Sequence, residues 1–127
     1  MDPNILLWIG QVFLALAMAA VGYGHGLGFD AWSGRPGQAW MAVIGRSRMG
    51  VIAALEILAV AGLILPAASG VLPWLTPLAA AGVAILMIAA AIFHAQRPDE
   101  RPNLILNLFL AAIAILIVYG RVIVSPL

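Results

Sequence analysis

The sequence predicts an all-α membrane protein, a bundle of four transmembrane helices, and three observations point there. Apolar residues make up 65% of the chain and charged residues 9%, whereas a soluble domain is about half apolar and a quarter charged. Mean hydropathy is +1.11. The few charges are clustered, so long uncharged stretches alternate with short segments bearing arginine, glycine and proline. At 127 residues the chain is one domain by length, and most of its surface must face lipid.

The first span is expected over about 5–24. Between Asp2 and Asp30 lie 27 residues without a formal charge, and roughly 20 apolar residues at 1.5 Å each cross a hydrocarbon core of about 30 Å. Ala17-Met18-Ala19 looks like a processing site, but the leader Met-Asp-Pro-Asn lacks the positive charge of a signal n-region, which favours a retained helix. The next charge-poor stretch, Met49 to Gln96, is broken only by Glu56 and suits a hairpin of two helices. Its middle holds Pro66, Ser69, Gly70, Pro73 and Pro77, which interrupt helical hydrogen bonding and favour a turn. The second span is therefore expected over about 48–65 and the third over about 75–94. The fourth runs over about 103–121, bounded by Arg101 and Arg121.

Between the first two spans, the segment Phe29 to Ser47 is the longest non-spanning piece. Gln38 to Gly45 fits a short interfacial helix anchored by Trp40, or irregular backbone folded over the bundle mouth. In the third span, Ala79, Ala80, Ala81, Gly82, Ala84 and Ala89 to Ala91 offer small surfaces on which helices approach closely.

Four spans put both termini on one face. The other face carries Arg35, Arg46, Arg48, Arg97 and Arg101, against Arg121 alone beside the termini. The positive-inside rule then makes loops 25–47 and 95–102 cytoplasmic and the termini external, in the cell (inner) membrane. Trp8, Trp74 and Tyr119 fall at the terminal-side interface, as an aromatic belt requires.

Composition also excludes functions. There is no lysine, and the net charge is +1, so no basic stripe could track phosphates and nucleic acid is not an expected partner. With no cysteine, disulfides and thiolate metal sites are ruled out. No nucleophile–base constellation or phosphate loop stands out, so a stand-alone enzyme is not expected.

Glu56 is the most informative residue, because an ionisable side chain within a span costs at least a few kcal/mol and normally faces a partner or a cavity. Pairing with Arg48 or Arg46 is one bland reading; interhelical hydrogen bonding is another. Arg48 precedes Glu56 by eight residues, about 12 Å along a helix axis, which suits a snorkelling anchor better than a direct bond. His25 and His94 close the first and third spans and so lie on the same side, near that level. Imidazoles can shuttle protons, donate to a quinone carbonyl or ligate haem, but haem is disfavoured because its ligands should lie deeper. Asn103, after Pro102, reads as an N-cap; Asn107, one turn on, could bond Glu56 or a ligand. Gln11 reads as packing. The candidate ligand-binding set is His25, Arg48, Glu56, His94 and Asn107, converging near one face while the opposite half of the bundle looks almost wholly apolar.

The stretch Arg48-Met49-Gly50 through Ala54-Leu55-Glu56 to Gly62-Leu63-Ile64-Leu65-Pro66 resembles the second span of the DoxX-like membrane proteins: glycine, a glutamate in an apolar run, a Gly-Leu step and a closing proline. Ala90-Ala91-Ile92-Phe93-His94, Asn103 and Tyr119-Gly120-Arg121 are similar to that family as well. Many relatives carry a lysine just after the first span, where this chain has Gly24-His25-Gly26. The resemblance implies a four-helix bundle associated with respiratory or oxidative-stress redox systems, some members being similar to the small subunit of a thiosulfate:quinone oxidoreductase. It also warns against reading function from fold, since distant relatives look like cargo receptors.

The leading expectation is an accessory subunit binding a quinone or similar lipophilic headgroup near His25, Glu56 and His94, beside a soluble or membrane redox partner and open to homo-oligomerisation. A scaffold or assembly factor using the 29–47 loop is the alternative. A small exporter ranks below both, because the first span holds no acidic residue where known four-span multidrug exporters carry a glutamate.

Overall fold

Within hydrocarbon, backbone N–H and C=O groups find no water and must be satisfied inside the chain. A computed structural model describing residues 1–127 meets this demand with helices alone. They are α1 (Pro3–His25), α2 (Phe29–Ser33), α3 (Trp40–Ile44), α4 (Arg46–Ser69), α5 (Leu75–Ala95) and α6 (Arg101–Tyr119), the last continued by a π-helical turn over Gly120–Val124. Four of them, α1, α4, α5 and α6 with its flanking turns, are long and apolar enough to cross a membrane.

The helix ends follow local chemistry. Asp2 caps α1, its carboxylate accepting from the Asn4 N–H at 2.8 Å, and Pro3 takes the first position, where a missing N–H costs nothing. The largest departure from expectation is in α4, which passes through Pro66 and ends only at Gly70, in the left-handed region at φ +73°. Pro66 cannot donate to the carbonyl of Gly62, one turn earlier. The hydroxyl of Thr76 on α5 takes over, donating to the Gly62 oxygen at 3.1 Å. The turn thus moves to 70–74, and Pro77 falls in the first turn of α5, where it leaves no intrahelical bond unmade.

The two hairpins, α1 on α4 and α5 on α6, are the most extensive pairings; α4 against α5 joins them, while α1 and α6 meet only along a thin seam. The core at mid-depth is Leu14, Met18, Leu63, Val83, Met87, Leu110 and Ile117. Small residues let α4 and α5 close up: a Cβ on Gly62 would lie 2.7 Å from the Cβ of Ala79. Large side chains such as Leu16, Leu58, Ile85 and Leu116 point outward, which is the pattern of a lipid-facing surface.

A second, smaller core lies at the loop end. Phe29, Trp40, Met41 and Met49 are buried together, with Trp32, Ile44, Ile52 and Phe93 packed against them. The 29–47 segment therefore folds over the bundle mouth. Trp40 is 7% exposed and is no interfacial anchor: its ring gains more from desolvation among Phe93 and the histidines than from lying at the headgroups.

Candidate functional site

That fold encloses a cavity of about 290 Å³ at the loop end. The last turn of α1 supplies His25, the third turn of α4 supplies Glu56, the end of α5 supplies Phe93 and His94, and α6 supplies Asn103 and Asn107. Trp32, Gln38 and Trp40 close it from above.

Glu56 is fully buried. Its Oε1 lies 2.6 Å from Nδ1 of His25, a separation that requires one proton held between them. Its Oε2 has no hydrogen-bond partner. On the other wall, Nδ1 of His94 lies 3.1 Å from Oε2 of Glu100, which also accepts from Arg97 Nε at 2.7 Å. The 3₁₀ turn Pro98–Glu100 folds the chain back so that Glu100 reaches a histidine six residues earlier. Each imidazole is thus held at Nδ1 by a carboxylate, and the Nε2 of each is left without a protein partner.

The Trp40 indole stands between the two histidines, edge-on to both: its ring centroid is 5.5 Å from His25 and 4.7 Å from His94. A relay of amides holds it there. Trp40 Nε1 donates to Gln38 Oε1 at 2.8 Å, Gln38 Nε2 donates to Asn103 Oδ1 at 3.0 Å, and Asn103 Nδ2 donates to the Gly37 carbonyl at 3.0 Å. Trp32 sits on Gly24, where any Cβ would run into its ring.

Of the candidate set, His25, Glu56, His94 and Asn107 line the cavity. Arg48 does not; it is exposed on the first turn of α4. Arg46 pairs with Asp30 on the surface instead of reaching Glu56. Asn107 lines the cavity but makes no hydrogen bond to Glu56. Asn103 is no N-cap, because α6 starts two residues earlier at Arg101; it is the clasp for the loop. Trp32, Gln38, Trp40 and Glu100 join the site without having been singled out for it. The Gly24-His25-Gly26 run was the available hint, since glycine at a helix end marks a close neighbour.

Residues 9–117 match the model of the DoxX-like family. The chain belongs to the DoxX-like family. The matched region contains His25, Glu56, His94 and Asn107 as well as the loop that covers them. No curated protein and no solved structure matches the chain significantly.

This DoxX-like bundle is polar at its other end too, contrary to the expectation of an apolar half. Gln11 is fully buried and bridges the bundle: its Nε2 donates to the Leu63 carbonyl at 2.8 Å, and its Oε1 accepts from Arg121 Nε at 2.6 Å. Arg121 is only 3% exposed. A partner 110 residues away gives no sign in the local spacing of α1, which is why Gln11 reads as packing from sequence. Between the two polar ends lies the mid-depth core of Leu14, Met18, Leu63 and Met87.

Proposed function

We propose that this DoxX-like protein is a membrane-embedded redox accessory subunit that holds a quinone-like headgroup in the cavity beneath Trp40. The observation that carries the reading is Glu56 Oε2, a buried carboxylate oxygen with no donor on a residue that lines the cavity. Leaving such a group unsatisfied costs about 1–3 kcal/mol or more, and a ligand hydroxyl delivered there removes the cost.

The remaining walls fit the same ligand. Trp32, Trp40 and Phe93 offer aromatic surfaces to a flat ring, and Val21, Leu86 and Leu110 offer apolar ones. A volume of about 290 Å³ lies at the low end of ligand pockets, about 300–1,000 Å³, so it accommodates a headgroup while a long tail leaves between helices into lipid. In the reduced form one hydroxyl donates to Glu56 Oε2, and the free Nε2 positions of His25 and His94 serve the second oxygen. Reduction of a quinone takes two electrons, supplied by a partner oxidoreductase, and two protons. His25 is 13% exposed and Arg97, which holds Glu100, is 36% exposed, so in this reading protons reach the two carboxylate–imidazole pairs through these residues.

In this reading the loop end is cytoplasmic and the membrane is the inner one. Support comes from the arginines: Arg35, Arg46, Arg48 and Arg101 are exposed at the loop end, while Arg121, at the terminal end, is buried. The free positive charge is then confined to one face, the asymmetry that sets orientation.

The test is a titration of delipidated, detergent-purified protein with a short-tailed quinol, followed by quenching of tryptophan fluorescence. Saturable one-to-one binding is expected. Glu56→Gln weakens it about ten- to a hundredfold, the equivalent of one charge-assisted hydrogen bond. No saturable binding, or unchanged affinity in Glu56→Gln, refutes the reading.

A further inference from the structure

Arginine carries five N–H donors in a planar fork and stays charged. In Arg121 the Nε donates to Gln11 Oε1 at 2.6 Å, and Nη1 donates to Asn4 Oδ1 at 2.7 Å and to the Ser125 carbonyl at 3.2 Å. Nη2 is buried and donates to nothing. Every acceptor is neutral, and no carboxylate lies within ion-pair distance of the guanidinium. The chain thus buries a cation at the terminal end of the bundle without a counter-charge, an arrangement that costs several kcal/mol unless something else supplies one.

We infer that Arg121 is the centre of an oxyanion site on the terminal face, taking a phosphate group. The geometry is prepared for it. Gln11 is pinned by its bond to Leu63 and fixes the guanidinium plane from below, while the Trp8 ring, 5.7 Å from the guanidinium carbon, flanks it. Asn4 is exposed and Ser125 half-buried, so the outer edge of the fork lies just beneath the surface. The longest of the three bonds, to Ser125, is the one an incoming oxyanion displaces, freeing Nη1 and Nη2 for bidentate contact. An apolar groove of about 580 Å³ between α1 and α6, lined among others by Leu7, Gly10, Tyr119 and Gly120, opens alongside. The phosphate can therefore belong to a phospholipid whose chain lies in that groove or to a free anion. The inference is independent of the loop-end cavity.

The experiment uses the full chain in dodecyl maltoside, which carries no phosphate, and reads the melting temperature. One arm adds inorganic phosphate against chloride at matched ionic strength; the other adds phosphatidylglycerol against diacylglycerol in mixed micelles. A rise of about 5 °C in at least one arm is expected, the size of shift that near-saturating binding gives. Asn4→Asp, an exposed change that puts a carboxylate against Nη1, raises the basal melting temperature and removes the response; Arg121→Gln removes the response without that rise. A response to phosphate assigns the site to a free anion, and one to phosphatidylglycerol alone assigns it to lipid. No response of the native chain in either arm overturns the inference, as does a response that persists undiminished in Asn4→Asp.

Discussion

The hydroxyl of Thr76 stands in for a bond that Pro66 removes, and this substitution of partners can be measured. Thr76 is fully buried and its Oγ1 lies 3.1 Å from the Gly62 oxygen, an ordinary length for a neutral bond. Thr76→Val keeps the branched shape and leaves the carbonyl without a donor in apolar surroundings. An orphaned acceptor costs about 1–3 kcal/mol in water-soluble proteins, but interhelical hydrogen bonds within membranes average about 0.6 and reach about 1.7 kcal/mol. A loss near 1 kcal/mol is expected, roughly a fivefold change in the folding equilibrium. Pro66→Ala restores the amide at position 66, which then serves the Gly62 carbonyl from within α4. In that background Thr76→Val should cost about 0.3 kcal/mol or less, giving a coupling energy of about 0.7 kcal/mol or more by double-mutant cycle. Reversible unfolding in mixed SDS and maltoside micelles supplies the four free energies. Equal costs of Thr76→Val in the two backgrounds would mean that the hydroxyl is not replacing the proline's missing donor.

Other perturbations probe the cavity and its cover. Asn103→Leu removes both the Gln38 and the Gly37 contacts and should raise amide hydrogen exchange across 29–44 at least tenfold, with exchange in mid-depth α5 unchanged; equal protection in the two proteins would show that Asn103 is not the clasp. Gly24→Ala displaces Trp32 and should blue- or red-shift tryptophan emission while lowering stability by about 1–3 kcal/mol, the range for overpacking. Arg48→Gln, on an exposed side chain outside the cavity, should leave quinol affinity within twofold of native, and a tenfold loss would return Arg48 to the site.

The spans were legible because the thickness of hydrocarbon dictates how many residues pass without a charge, and that count survives any detail of packing. The second span still ran past its expected end, since whether Pro66 stops a helix depended on a donor from α5. His25, Glu56 and His94 could be grouped from topology alone: each interrupts an apolar helix at a depth set by 1.5 Å per residue, and odd-numbered spans finish on one side. The carboxylate that holds His94 was within reach of local reading, lying six residues on, yet a surface turn rich in Arg97, Asp99 and Glu100 looks solvated until its backbone is folded. Trp40 and Gln38 were not legible as site residues, because their positions depend on Asn103, 65 residues from Gln38. A still longer separation, 110 residues, hid the partnership of Gln11 with Arg121.

The layer of Leu14, Met18, Leu63, Val83 and Met87 between the two polar ends has an electrical meaning. It contains no hydroxyl, amide or carboxyl through which a proton could hop, so the bundle insulates one aqueous phase from the other. On the quinone reading, protons taken up in the loop-end cavity are drawn from the loop-side phase and leave on the quinol. With the electron donor on that same side, turnover on that reading is electrically silent: imposing a voltage across vesicles containing the protein should neither drive nor retard it.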